Sequence, residues 1–181
     1  ALAAGCGPGG VRVAAAGGGG APVPAGGGRR GRGAASLREL EGERRSYPVA
    51  GRPLPPIAAL HAALYRAGPF QYAAHERAAE VAAVSGRVRR LRPYLDDLAQ
   101  MAGADVLCVP AEPGRVERAI RGRNAVLLRG CGALCAGATA GDVDAARSLL
   151  RKGCTAWLYA REGPGCRPLG QADALIQRLA Y

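Results

Sequence analysis

Nowhere in this sequence do about 18 apolar residues follow one another, so no segment reads as a membrane-spanning helix and a soluble protein is expected. Aromatic residues make up only 4% of the chain. Few rings therefore lie among its arginines to stack on bases, which argues against a dedicated nucleic-acid surface at "RRGRG" or "RVRRLR". Lysine is almost missing, Lys152 being the single one. Regular cysteine spacing is missing too: the 6 cysteines make no disulfide framework, and reduced thiols in a cytoplasm are expected. The opening "LAAGC" looks like a lipoprotein cleavage box, but no basic and apolar signal region precedes it and the chain begins at Ala1, so the match is read as chance.

What is abundant is glycine, alanine and arginine. With 28 Gly, 13 Pro and a formal charge of +11, the composition has the bias that a GC-rich coding sequence produces by itself. Whatever its origin, that charge favours polyanions, phosphorylated ligands or acidic partners, through contacts that salt would weaken. A chain of 181 residues suits one domain with a proper core. Residues 1–35, with "GPGG", "GGGG" and "GGGRRGRG", read as a Gly/Arg-rich segment, and residues 36–181 as the folded domain.

Within that domain "SLRELEGE" opens with a helix-start pattern, Ser36 and Glu39. Prolines keep "VAGRPLPP" extended. Ile57, Leu60, His61 and Leu64 fall on one helical face that Gly68-Pro69 ends. "FQYAA" reads as a strand and "HERAAEVAAVSG" as a helix with His75 in its first turn. "RVRRLRPYLDDLAQMAG" passes through Pro93 into a short helix; "DVLCVP" and "NAVLLRG" are strands on either side of the helix "GRVERAIRG". Thr139 and Asp142 form a capping box for the longest helix, whose stripe is Val143, Ala146, Leu150, Cys154 and Trp157. A last helix follows Pro168, with Leu175, Ile176 and Leu179 expected to face inward. Alternating strands and helices predict a single α/β (α+β-like) domain.

The order "PLPPIAALHAALYRAGPFQYAAH", "RPYLDDLAQMAG", "NAVLLRGCGALCAG" and "DVDAARSLLRKGCTAWLY" resembles the class II aldolase/adducin family, from about Pro53 to the C-terminus. "CGPGGVRVA" is similar to the family's glycine-rich phosphate loop and the strand after it. The resemblance implies a central, mainly antiparallel sheet flanked by helices, commonly in a four-fold homotetramer with active sites between subunits. It also implies zinc or another divalent metal on three histidines, with an acidic residue moving protons during aldol cleavage or epimerisation of sugar phosphates. Three neutral nitrogens leave open positions on a metal, which then acts as a Lewis acid.

Carried across position by position, the resemblance places His75 at the first ligand, Arg77 at the second and Cys131 at the third. Ile57 stands at the acidic position four residues before His61. Pro55 and Pro56 replace two hydroxyl residues, and Gly9-Gly10 replaces Gly-Asn in the phosphate loop. Only His75 and Cys131 remain as metal-ligand candidates, fewer than the usual three, and a guanidinium cannot coordinate. Glu76 could serve as a ligand only if the strand slipped by one residue.

Plainer readings stand beside these: His61 as a hydrogen-bonded helix histidine, His75 as a helix-start histidine, Cys135 as a small core residue, and Asp96-Asp97 as a helix-start or surface pair. The resemblance gives "YLDD" a part in the subunit contact. Function is therefore expected to be that of a non-catalytic scaffold or pseudoenzyme subunit, a homotetramer with a possible catalytic sister subunit, with no catalytic residue and no cofactor. The alternative is a divergent metal-dependent lyase or epimerase acting on a phosphorylated sugar; the third is a basic nucleic-acid-binding protein.

Overall fold

The computed structural model describes residues 56–163 and 165–180, together with the backbone of strand residues 13–14, 48–49 and 52–53. The expected helix at "SLRELEGE", the glycine runs and Pro55 lie outside the described residues.

The domain is built on a sheet of β1 (Val13–Ala14), β4 (Tyr72–Glu76), β5 (Arg90–Leu91), β6 (Val106–Val109), β7 (Ala125–Leu128) and β8 (Gly132–Gly137). Their order is β1-β4-β8-β7-β6-β5, and a separate hairpin pairs β2 (Pro48–Val49) with β3 (Arg52–Pro53). Among the described strands only β6 and β7 run parallel; every other neighbouring pair is antiparallel. The reason is connectivity. A parallel pair needs a crossover, and the helix α4 (Pro113–Ile120) supplies it between β6 and β7, while β7 and β8 are joined by a short turn.

Two layers of helices cover the sheet, so the central strands β7 and β8 are buried along their whole length and read as near-continuous apolar runs. On one face α2 (Ala79–Ser85), α3 (Asp96–Ala102) and α5 (Ala140–Ala160) enclose Val84, Leu91, Leu98, Leu127 and Leu150. On the other, α1 (Pro56–Ala67) and α4 enclose Leu60, Leu64, Ile120, Leu128 and Leu134. The expected capping box is present: the Asp142 N–H donates to Thr139 Oγ1 at 3.1 Å and the Thr139 N–H to Asp142 Oδ2 at 2.8 Å. Four of the five stripe residues are buried, and Trp157 is partly covered beneath Arg161.

Two expectations fail on tertiary grounds. His75 belongs to β4 rather than to a helix, because β4 pairs with β8 through five residues, including His75 opposite Leu134, and α2 begins only at Ala79. Ladder hydrogen bonds and two covered faces outweigh the helix preference of an Ala- and Glu-rich segment. The last helix, α6 (Gln171–Leu179), turns the other way: Leu175, Ile176 and Leu179 are 50, 63 and 77% exposed while Ala174 is buried. Polar bonds orient it. Arg178 donates to the Gln100 carbonyl and to Asn124 Oδ1, both at 2.6 Å, and Gln100 donates to Gln177 at 2.7 Å.

Candidate functional site

The turn between β7 and β8 carries "RGCG". The Cys131 N–H closes it on the Leu128 carbonyl at 2.8 Å, with Gly130 at φ +68°. Gly132 follows at φ +101°, pressed so closely on β4 that a Cβ would collide with the Glu76 carbonyl oxygen. Both positions favour glycine for a physical reason. The turn is tied to α2 as well, the Gly132 N–H donating to Ser85 Oγ at 3.3 Å.

His75 meets this turn from β4, on the face covered by α1 and α4. Its Nε2–H donates to the Cys131 carbonyl at 3.0 Å, a bond that requires the proton on Nε2. Burial holds the imidazole below its ordinary pKa; the Cys131 carbonyl opposes that, Arg77 adds to it, and Glu76 opposes it. His61 on α1 is fully buried, and among the described residues neither ring nitrogen has a hydrogen-bond partner. The expectation of a hydrogen-bonded helix histidine is thus corrected: α1 buries the ring against the sheet with no acceptor in reach among the described residues. Burial, and then the nearby His75, push the His61 pKa down to about 4.

The other side of β4 is different in kind. Glu76 is 2% exposed, and strand alternation turns it away from His75 toward α5. Its Oε1 accepts the N–H groups of Arg77 and Ala78, both at 2.9 Å, and Arg151 at 3.0 Å. Its Oε2 accepts Arg147 Nε at 3.0 Å. Burial alone would raise the Glu76 pKa, but the Arg151 hydrogen bond, the Ala78 N–H and the two guanidinium charges outweigh it, and the net shift is downward. This carboxylate is a structural anchor that accepts four hydrogen bonds. Sequence reading missed Arg147 and Arg151 as its partners. Their spacing of four on one helical face was the available signal, since such residues neighbour each other.

A metal fits poorly here. Among the described residues, no group of three or more His, Cys, Asp and Glu side chains is placed to hold one. His75 Nε2 is engaged with a backbone carbonyl, and Glu76 lies on the opposite side of the strand. Ile57 is a partly buried apolar residue at the acidic position, and Pro56 is the first residue of α1. Cys135 is a core residue whose thiol burial pushes up to about 12, with Glu76 adding to that. Asp96 and Asp97 are exposed in the first turn of α3, where the helix dipole favours negative charge.

The family model described as the class II aldolase and adducin N-terminal domain matches residues 37–158. The chain belongs to that family. Solved structures agree on the fold of this class II aldolase/adducin protein. An L-fuculose 1-phosphate aldolase superposes with a TM-score of 0.63 at 16% identity, over 72% of this chain and 65% of that one. YgbL from Escherichia coli, for which aldolase, epimerase or decarboxylase activity is proposed, gives 0.58 at 19% identity over 71 and 67%. The L-fuculose-1-phosphate aldolase of Thermus thermophilus gives 0.55 at 25% identity over 70 and 69%. The chain thus spans about two thirds of the length of each. No curated protein sequence matches it. Among the described residues no helix is long and apolar enough to cross a membrane.

Proposed function

We propose that this class II aldolase/adducin-family protein is a non-catalytic scaffold or pseudoenzyme subunit. One observation carries the reading: at the three positions where the family places metal-binding histidines stand His75, Arg77 and Cys131, and the histidine spends its Nε2 proton on the Cys131 backbone. Ile57 at the acidic position supports it, because an alkyl side chain moves no proton. The fold needs no metal at the turn, since Gly132, Ser85 and His75 already tie it to its neighbours. In this reading residues 36–181 form the domain and residues 1–35 an attached Gly/Arg-rich segment. The protein assembles as a homotetramer in the cytoplasm, with a catalytic sister subunit as a possible partner. Nucleic acid binds only weakly and without sequence preference.

Metal content of protein purified without chelator decides the matter. Plasma emission should find almost no zinc or manganese. Near one ion per chain, together with chelator-sensitive cleavage of a sugar phosphate, would instead establish the divergent metal-dependent lyase or epimerase, with His75 and Cys131 at its centre. Light scattering coupled to gel filtration should show a tetramer, and a monomer at micromolar concentration would count against the assembly.

A further inference from the structure

Among the described residues, seven arginines meet a described carboxylate: Arg66, Arg90, Arg115, Arg121, Arg123, Arg147 and Arg151. Arg87, Arg89 and Arg129 are exposed, and among the described residues no carboxylate lies within ion-pair distance of any of them. They come from two separate stretches, residues 87–89 and residue 129, which the topology gathers at one end of the sheet. The Arg89 carbonyl accepts the Cys108 N–H at 2.9 Å, and the Arg129 N–H donates to the Val109 carbonyl at 2.9 Å, so the two residues flank the last two residues of β6. The Arg129 guanidinium reaches the Cys108 sulfur. The Cys108 thiol in turn donates to the Ser85 carbonyl at 3.2 Å, two residues before Arg87, whose own N–H is held by the Val84 carbonyl at 2.9 Å.

Leu91 and Leu127 both belong to the core beneath α5. Arg129 reaches Cys108 of that same core and so lies on that side of the sheet, and Arg89 directly precedes β5 at the same end. β5 and β7 are separated by β6 alone, so the two backbones stand roughly 10 Å apart, a gap that two long side chains can close on a shared ligand. The carboxyl ends of β4, β6 and β7 all open at this end, as the register of their pairings with β8 and with each other requires. Ligands of open α/β sheets bind outside such ends.

We propose that Arg87, Arg89 and Arg129 form a binding site for a small molecule carrying linked phosphates. A guanidinium is a planar fork that engages phosphate oxygens in pairs, and three of them spread over this distance suit a diphosphate better than a single anion. The site is formed by residues other than His61, His75 and Cys131 and needs neither a metal nor the lost acidic residue.

Titration calorimetry with inorganic pyrophosphate tests this on the full chain, in chelator and at about 0.15 M salt. Chelator removes any contribution from a metal centre, so failure here is separate from failure of the pseudoenzyme reading. One pyrophosphate per chain should bind, more weakly as salt rises. The variant Arg87→Gln/Arg89→Gln/Arg129→Gln should lose about tenfold or more in affinity. The charge-matched variant Arg118→Gln/Arg121→Gln/Arg167→Gln should keep it, with circular dichroism confirming both folds. If the first variant does not fold, Arg89→Gln alone should still weaken binding while Arg118→Gln does not. No binding by the parent, or equal loss in the two charge-matched variants, would overturn the site. So would a short single-stranded RNA that displaces pyrophosphate and discriminates between sequences, since that ligand is a different class.

Discussion

The two sides of β4 have had different fates. Toward α5, one carboxylate is surrounded by two arginines and two backbone N–H groups, and nothing polar is left over. Toward α1, two imidazoles share a single hydrogen bond, and both nitrogens of His61 are buried without any. A buried polar atom without a partner costs about 1–3 kcal/mol, so the second side carries a cost that the first does not. Among the described residues the α5 side of the strand carries a carboxylate with four hydrogen bonds, while the α1 side holds two imidazoles with one between them.

The largest effect should come from the satisfied side. Glu76→Ala leaves Arg147, Arg151 and two backbone N–H groups without their acceptor, and should cost about 3 kcal/mol in urea unfolding; the exposure of the arginines keeps the loss at the lower end for a broken buried pair. A loss below about 1 kcal/mol would mean that the two sides do not differ as argued.

The proposed loss of the metal site on the α1 side can be tested by rebuilding it. Arg77→His with Cys131→His restores three histidines around the turn, and zinc at 100 times its dissociation constant should then stabilise the fold by about 2.7 kcal/mol, read as a higher melting temperature. The parent should show no such rise. Aldol cleavage should stay absent until at least Ile57→Glu supplies a proton-transfer group.

A smaller effect isolates the unpartnered imidazole. His61→Leu should stabilise the protein by about 1 kcal/mol at pH 7.5, since an apolar side chain has nothing to satisfy there. It should also change the pH profile. The unfolded chain takes up a proton on His61 near pH 6.5, and the folded chain only near pH 4. Between those values the unfolded state binds more protons, so the parent loses stability as pH falls through that window. The variant should lose less over the same interval. An unchanged slope would show that His61 finds a partner in solution.

The smallest effect lies outside both sides. Leu175→Gln and Ile176→Gln on exposed α6 should each change stability by less than about 0.5 kcal/mol. A larger loss would mean that this helix is covered in the assembled protein.

Local pattern was enough for much of the scaffold. The capping box at Thr139 and Asp142, the stripe from Val143 to Cys154, and the strands at Val106 and Ala125 are short-range signals that packing did not overrule. The residues at the positions that the resemblance assigns to ligands, His75, Arg77 and Cys131, were legible too, because residue identity needs no coordinates. Three matters were settled only by the tertiary structure. Pairing with β8 made His75 a strand residue, and hydrogen-bonded ladders form between segments far apart in the chain. Polar anchors at Gln177 and Arg178 turned the apolar positions of α6 outward, although their spacing alone suggested the reverse. Which side of the sheet each residue packs on decided that Glu76 of β4 became an anchor and His61 of α1 an orphan. Both outcomes depend on what α5 and α1 bring against the strand, and a linear pattern does not contain its neighbours.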